Sequence, residues 1–196
     1  MKRQLLYPHK RMKMKTFIII LIMTAMVNAP GFSKDLYGFS KEKENWSWRI
    51  TNDGVMGGLS KGIFRLTDDG TGIFEGNLSL ENNGGFSWVR TRKGDPDFSG
   101  ARGVRIHLKG DGRTYAVTLD TSSGYNAYSF NHYFTTEKDV WKEIEIPFSD
   151  FRAYWFGRKM PLMRLNDPGK IKDIGFIIMD KKQGPFRLEI DRISTY

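Results

Sequence analysis

The sequence predicts an all-β fold, two antiparallel sheets packed as a sandwich or jelly roll, on three observations. Apolar and polar residues alternate in short runs, clusters of Gly, Asp and Asn separate those runs at regular intervals, and every candidate helix is interrupted by Gly or Pro before four turns. β-branched and aromatic residues dominate the apolar positions, as a pleated surface favours.

Taken in chain order, the first strand is expected at Ile63–Thr67. In the next, Phe74, Gly76, Leu78 and Leu80 alternate with Glu75, Asn77 and Ser79. Gly85–Thr91 follows. Alternation is clearest in Gly103–Lys109, where Val104, Ile106 and Leu108 face one way and Arg105, His107 and Lys109 the other. It recurs in Thr114–Asp120 through Tyr115, Val117 and Leu119, and Gly110-Asp111-Gly112-Arg113 between these two runs reads as a hairpin connection. Further strands are expected at Ala127–Thr135, Trp141–Pro147, Ile171–Asp180 and Phe186–Ile193. One wet face per sheet implies antiparallel pairing.

The chain has 196 residues, enough for one domain with a self-sufficient core, and no cysteine. Disulfides, thiolate metal sites and cysteine nucleophiles are excluded together. Its formal net charge is +9, but Lys2, Arg3, Lys10, Arg11, Lys13 and Lys15 fall in the first 33 residues with no acidic residue. The remainder holds 25 basic against 22 acidic side chains, a net of +3, interspersed rather than gathered on one face. That pattern argues against nucleic acid.

Residues 1–33 read as a signal peptide. The basic stretch ending at Lys15 precedes an apolar run from Phe17 to Val27, short for a bilayer span, and small residues follow at Ala29, Gly31 and Ser33. Cleavage is expected between Ala29 and Ser33, and export to the periplasm or cell surface follows; the alternative is an uncleaved anchor, the chain's one expected contact with a membrane. Residues 34–45 read as a polar lead-in and 46–196 as the domain.

Catalysis has little to work with. His9 lies in the targeting segment, His107 on the polar face of its strand and His132 between Phe130 and Phe134. No nucleophile elbow, zinc helix or phosphate-binding loop occurs. Asp53, Glu81, Asp111 and Glu189 are the carboxylates from which a hydrolytic pair would have to come. Asp68-Asp69-Gly70 and Asp95-Pro96-Asp97 offer oxygen ligands for calcium but lack loop spacing and read first as turns. Neither a cofactor nor a metal is expected.

Binding fits better. Asp53, Asn82, Asn83, Arg90, Asp111 and Arg113 lie in or beside Gly-bearing connections, with Trp88 and Tyr115 as flat platforms. Two readings stay open for these loops: turn chemistry, or a polar recognition surface. Tyr154, Trp155 and Arg158, within an aromatic stretch that includes Phe156, read either as a protein contact or as a loop folded over the sandwich end.

Several of these motifs together resemble the complex I intermediate-associated protein 30 family. They are Asp53-Gly54-Val55-Met56-Gly57-Gly58; Leu78 to Phe86 with Arg90; Gly110-Asp111-Gly112-Arg113 before Tyr115; Trp141; Ile146-Pro147-Phe148 with Phe151; Gly157-Arg158; Ile174-Gly175-Phe176; Asp180; and Gly184-Pro185-Phe186 with Leu188-Glu189-Ile190. The resemblance covers roughly residues 45–196. It implies a galactose-binding-domain-like jelly roll and, from the family's mitochondrial members, assistance in assembling respiratory complex I (NADH:ubiquinone oxidoreductase); with catalysis so poorly supplied by the residues, the module reads as non-enzymatic. An exported chain would not meet the cytoplasmic arm of bacterial complex I, so the resemblance implies the fold more directly than the role. The expected partner is a protein awaiting assembly; the alternative is a glycan.

Overall fold

The computed structural model describes residues 33–39, 48–91, 96–121, 128–155 and 157–196. These form thirteen strands: β1 (Asp35–Gly38), β2 (Trp48–Asn52), β3 (Lys61–Leu66), β4 (Gly72–Leu78), β5 (Ser87–Thr91), β6 (Gly103–Lys109), β7 (Thr114–Asp120), β8 (Ser129–Thr135), β9 (Trp141–Pro147), β10 (Arg152–Trp155), β11 (Arg158–Lys159), β12 (Asp173–Ile178) and β13 (Gly184–Thr195). Among the described residues no α-helix occurs; four single 3-10 turns are the only helical elements.

The strands build two antiparallel sheets. One runs β3-β4-β13-β6-β9 with β1 also on β13; the other runs β11-β10-β8-β7-β12-β5-β2. Alternation sets their facing. Phe74, Leu78, Val104, Ile106 and Leu108 of the first sheet meet Val89, Tyr115, Val117, Leu119, Ile174, Phe176 and Ile178 of the second, all essentially without solvent contact. Each such side chain contributes about 1.5–3 kcal/mol of burial. In β13, Phe186, Leu188 and Ile190 point inward, and a strict period of two would next bury Arg192. A bulge between Ile190 and Arg192 resets the phase so that Ile193 enters the core instead.

Two expectations are corrected here. Gly110-Asp111-Gly112-Arg113 does not close a hairpin, because β6 lies in the six-stranded sheet and β7 in the seven-stranded one. The loop crosses between layers, and so do the connections β2 to β3, β4 to β5, β8 to β9 and β12 to β13. Strand registers put all five crossings toward one end: Lys61 opposes Asn77, Gly184 opposes Leu78, Asn52 opposes Ser87, Thr114 opposes Thr135 and Ile178 opposes Tyr115. Nor is the lead-in a mere tether. β1 pairs with β13, and Tyr37 and Phe39 are buried against Trp48 and Phe64. Residues 40–45 and the targeting segment up to residue 32 lie outside the described residues.

Candidate functional site

The five crossings converge where the sequence places its Gly, Asp and Asn motifs, and polar side chains tie them together in two groups. Asp53 opens a 3-10 turn after β2, wholly buried. Its carboxylate accepts from the Ser60 amide (2.9 Å), the Ser60 hydroxyl (2.5 Å), the Gly85 amide (2.6 Å) and the Phe86 amide (3.3 Å). Loops 53–60 and 79–86 thereby share one anion. Burial opposes its ionisation, but the bonds from Ser60, Gly85 and Phe86 outweigh that penalty and hold the carboxyl below the usual range. A Cβ at Gly58 would stand 2.4 Å from Asp53 Cγ, and one at Gly84 2.6 Å from Oδ2, so the close approach requires both glycines. The Ser79 amide donates to the Ser60 hydroxyl (3.0 Å) and the Asn82 amide group to the Gly57 carbonyl (3.2 Å). Asn82 and Asn83 are exposed and left-handed, φ 54° and 58°, which is the turn chemistry their sequence implies.

A second clasp joins the β6–β7 and β12–β13 crossings. Arg113 reaches Asp180 through two nitrogens (3.0 and 2.6 Å) and donates to the carbonyls of Gly184 (3.0 Å), Pro185 (2.8 Å) and Lys182. Burial works against this cation, and the bonds and charge of Asp180 more than offset it, raising its pKa. Asp111 accepts from the Arg113 amide (3.0 Å), the Tyr115 hydroxyl (3.1 Å) and the Arg187 amide (2.8 Å). Thr136, on the β8–β9 crossing, bonds both Gly112 and Arg113 (3.0 and 3.1 Å).

The expected gripping surface is therefore corrected at four of its residues. Asp53 and Tyr115 have no exposure, and Asp111 and Arg113 are engaged internally. Trp88 does not present a free ring either. Its indole donates to Thr118, two strands away (3.0 Å), and its face lies 3.7 Å from the Arg90 guanidinium, which pairs with Asp120 at 3.3 Å. Both side chains cross β12 above Gly175, where a Cβ would sit 2.7 Å from Arg90 Cβ. Beneath them, on the outer face of the seven-stranded sheet, Thr118, Asp120 and Asn131 are buried. Burial raises the Asp120 pKa, with Arg90 opposing. Arg90 Nε is buried and finds no hydrogen-bond partner among the described residues.

Tyr154 faces outward beside Tyr133, ring centroids 6.3 Å apart at 73°. Trp155 is half-buried and opposes the exposed Arg158 in the β10–β11 hairpin, while Phe156 lies outside the described residues.

Three of the four candidate carboxylates have internal partners: Asp53 and Asp111 are engaged as above, and Glu189 is held by Lys109 (3.1 Å) and Thr71 (3.1 Å) on the six-stranded sheet, while Glu81 is exposed. His107 stays on the polar face, bonded to Asp191 at 2.8 Å. A wide depression of about 680 Å³ is lined by Glu75, Asp111, Arg113, Lys138 and Arg187, with Phe186 nearly buried at its floor. Among the described residues no cluster of His, Asp or Glu is suited to a metal ion.

One feature escaped the sequence reading. Val55, Met56 and Leu59 on the first clasped loop are 75, 66 and 51% exposed, and Leu80 on the second is 40% exposed. Their only sequence signal was apolar residues inside glycine-rich turns.

Comparison with known proteins agrees with this architecture. The family described as Complex I intermediate-associated protein 30 (CIA30) matches residues 37–190. The chain is 29% identical to Complex I intermediate-associated protein 30, mitochondrial, of Mus musculus over 80% of its own length and 54% of the mouse protein's. It is 27% identical to the probable counterpart of Caenorhabditis elegans over 82% and 53% of the two chains. The chain thus spans about half the length of these relatives. Among solved structures, a family 11 carbohydrate-binding module of a cellulosomal cellulase of Clostridium thermocellum superposes with a TM-score of 0.58 at 20% identity, over 83% of this chain and 93% of the module. An agarase superposes with a TM-score of 0.55 at 8% identity, over 83% of this chain and 24% of the enzyme. These likenesses describe the fold.

Proposed function

The chain belongs to the complex I intermediate-associated protein 30 family, and from that premise we propose that it is a non-enzymatic module which binds a protein partner during the assembly of a larger complex. The family's name supports a role in assembly. The observation that carries the choice of a protein over a glycan is the state of the platforms. A sugar ring stacks on an open aromatic face, yet Trp88 is covered by Arg90 and Tyr115 is buried, whereas apolar side chains stand exposed on the Asp53-clasped loops. The internal partners of Asp53, Asp111 and Glu189 support the absence of catalysis. The basic and apolar N-terminal segment supports export to the periplasm or cell surface, with the mature chain starting between Ala29 and Ser33.

The test is crosslinking of the full chain in its own cells, followed by pull-down, with a glycan array probed in parallel. A discrete protein adduct and no saturable glycan binding are expected. Saturable glycan binding without an adduct overturns the reading. N-terminal sequencing of the recovered chain checks the export step; a start at Met1, Met12 or Met14 refutes cleavage.

One observation favours a glycan as the second reading. The Tyr133–Tyr154 pair stands on the outer face of the seven-stranded sheet with ring centroids 6.3 Å apart, and Tyr133 is 43% exposed, an aromatic surface on which a sugar ring could stack. Tyr133→Ala abolishes array binding if that reading holds.

A further inference from the structure

We propose that the tip carrying Val55, Met56, Leu59 and Leu80 is the docking surface, a preformed apolar plug that seats in an uncharged apolar cleft of the partner protein. This deepens the protein-binding reading above and rests on it.

The first argument is rigidity. Exposed apolar side chains on a turn ordinarily cost ordering entropy on binding. Here the backbone beneath them is already locked. Asp53 bonds to both loops, Ser60 bridges to Ser79, and the Asn82 side chain closes onto Gly57. The Gly57 amide returns to the Gly54 carbonyl and the Gly58 amide to the Asp53 carbonyl, 3.1 Å each. A buried carboxylate with four donors is a costly device for a loop whose only task is to reverse direction.

The second argument is charge. Segments 53–60 and 79–86 contain no Lys or Arg, and their only charged residues are the buried Asp53 and the exposed Glu81, in a chain with 27% charged residues. Nucleic acid and anionic lipid both require clustered cations at the contact, and these two segments hold none, the adjacent Lys61 standing by itself. What remains complementary is an apolar surface without charge. The rim is the single carboxylate of Glu81, the side-chain amides of Asn82 and Asn83, and backbone at Gly54 and Gly57.

The third argument is shape and area. Residues exposed by 40 to 75% project, so the cleft belongs to the partner. The four together present on the order of a few hundred Å², the size of patch that marks interaction sites on monomers. It is well short of the ~800 Å² per partner of a standard interface. Two tips meeting therefore do not make a stable homodimer; the plug is the apolar centre of a contact whose rim the partner completes.

The experiment places a photoreactive side chain at Met56 or Leu59 in the full chain, with Tyr154 and Thr135 as control positions, and irradiates cells. The expected result is one protein adduct from the tip positions, mapped by mass spectrometry to an apolar peptide and undiminished by high salt. Met56→Asp with Leu80→Asp, crosslinked from position 59, lowers its yield about tenfold or more while thermal melting stays within a few degrees. Adducts from Tyr154 or Thr135 alone keep the protein-binding reading and overturn the tip. Adducts to lipid or to a second copy of the chain also overturn it. No adduct from any position, with saturable glycan binding, overturns both.

Discussion

Two clasps at the same end of the sandwich perform the same topological task with opposite chemistry. The Asp53 clasp joins crossings 53–60 and 79–86 through one buried anion and neutral donors, and it leaves Val55, Met56, Leu59 and Leu80 in solvent. The Arg113 clasp joins crossings 110–113 and 179–185 through a buried cation paired with Asp180, and its surroundings are charged: Lys181, Lys182, Lys138 and Arg187. Each keeps a loop pair rigid where strands change sheets. The difference teaches that rigidity here is a property of the crossings, whereas a candidate contact surface arises where the same rigidity is clothed in apolar side chains. The depression beside Arg113 instead sets Pro185 and Phe186 among five charged side chains.

The largest expected effect breaks the second clasp. Arg113→Ala leaves Asp180, whose side chain is 4% exposed, without its counter-charge and strips partners from three carbonyls. A loss of about 3–5 kcal/mol in urea unfolding is expected, and Arg113→Lys recovers only part because the planar fork is lost. Asp53→Ala comes next, at about 3 kcal/mol, since it orphans the Ser60, Gly85 and Phe86 amides in a dry site. Unlike Arg113→Ala, it should also disorder the apolar tip, measured as faster amide exchange at residues 54–59.

Gly58→Ala sharpens the comparison at lower cost. Its Cβ would overlap Asp53 Cγ at 2.4 Å, and a loss of about 1–3 kcal/mol is expected. Acid titration separates Asp53 from Asp120. The Asp53 pKa is depressed in the fold, so its stabilisation is complete above the unfolded value of about 4 and disappears as pH falls through the lower folded value. The Asp120 pKa is raised by burial, so stability associated with it is highest below about pH 4 and falls as pH climbs through the raised value. Urea midpoints measured across that window should lose the acid decline in Asp53→Asn and the opposite slope in Asp120→Asn. Smallest of all, Val55→Ser should change stability by about 0.5 kcal/mol or less while weakening partner capture.

Legibility followed locality. Gly103–Lys109 and Trp141–Pro147 were readable to the residue because each has a more buried and a wetter face, and Thr114–Asp120 because its outer row (Thr114, Thr118, Asp120) is polar in sequence although it too is largely covered. β1, β2 and β10–β11 were not, since they are short edge elements whose burial comes from distant strands: Tyr37 and Phe39 pack on Trp48 and Phe64, well removed in sequence. The motif residues of the candidate site were visible as unusual, but Asp53, Asp111 and Arg113 read as outward-facing because nothing local shows that Gly85, Arg187 or Asp180 waits opposite them.

By itself the sequence determined the fold class, the freedom from disulfides and the strand faces, because alternation and turn residues act over a few positions. Tertiary structure alone decided which loops cross between sheets, that Trp88 lies flat beneath Arg90 over Gly175, and that polar motif residues turn inward while apolar neighbours turn out. The reason is physical. A buried charge is tolerable only with partners in place, and those partners come from chain segments whose meeting is an outcome of packing.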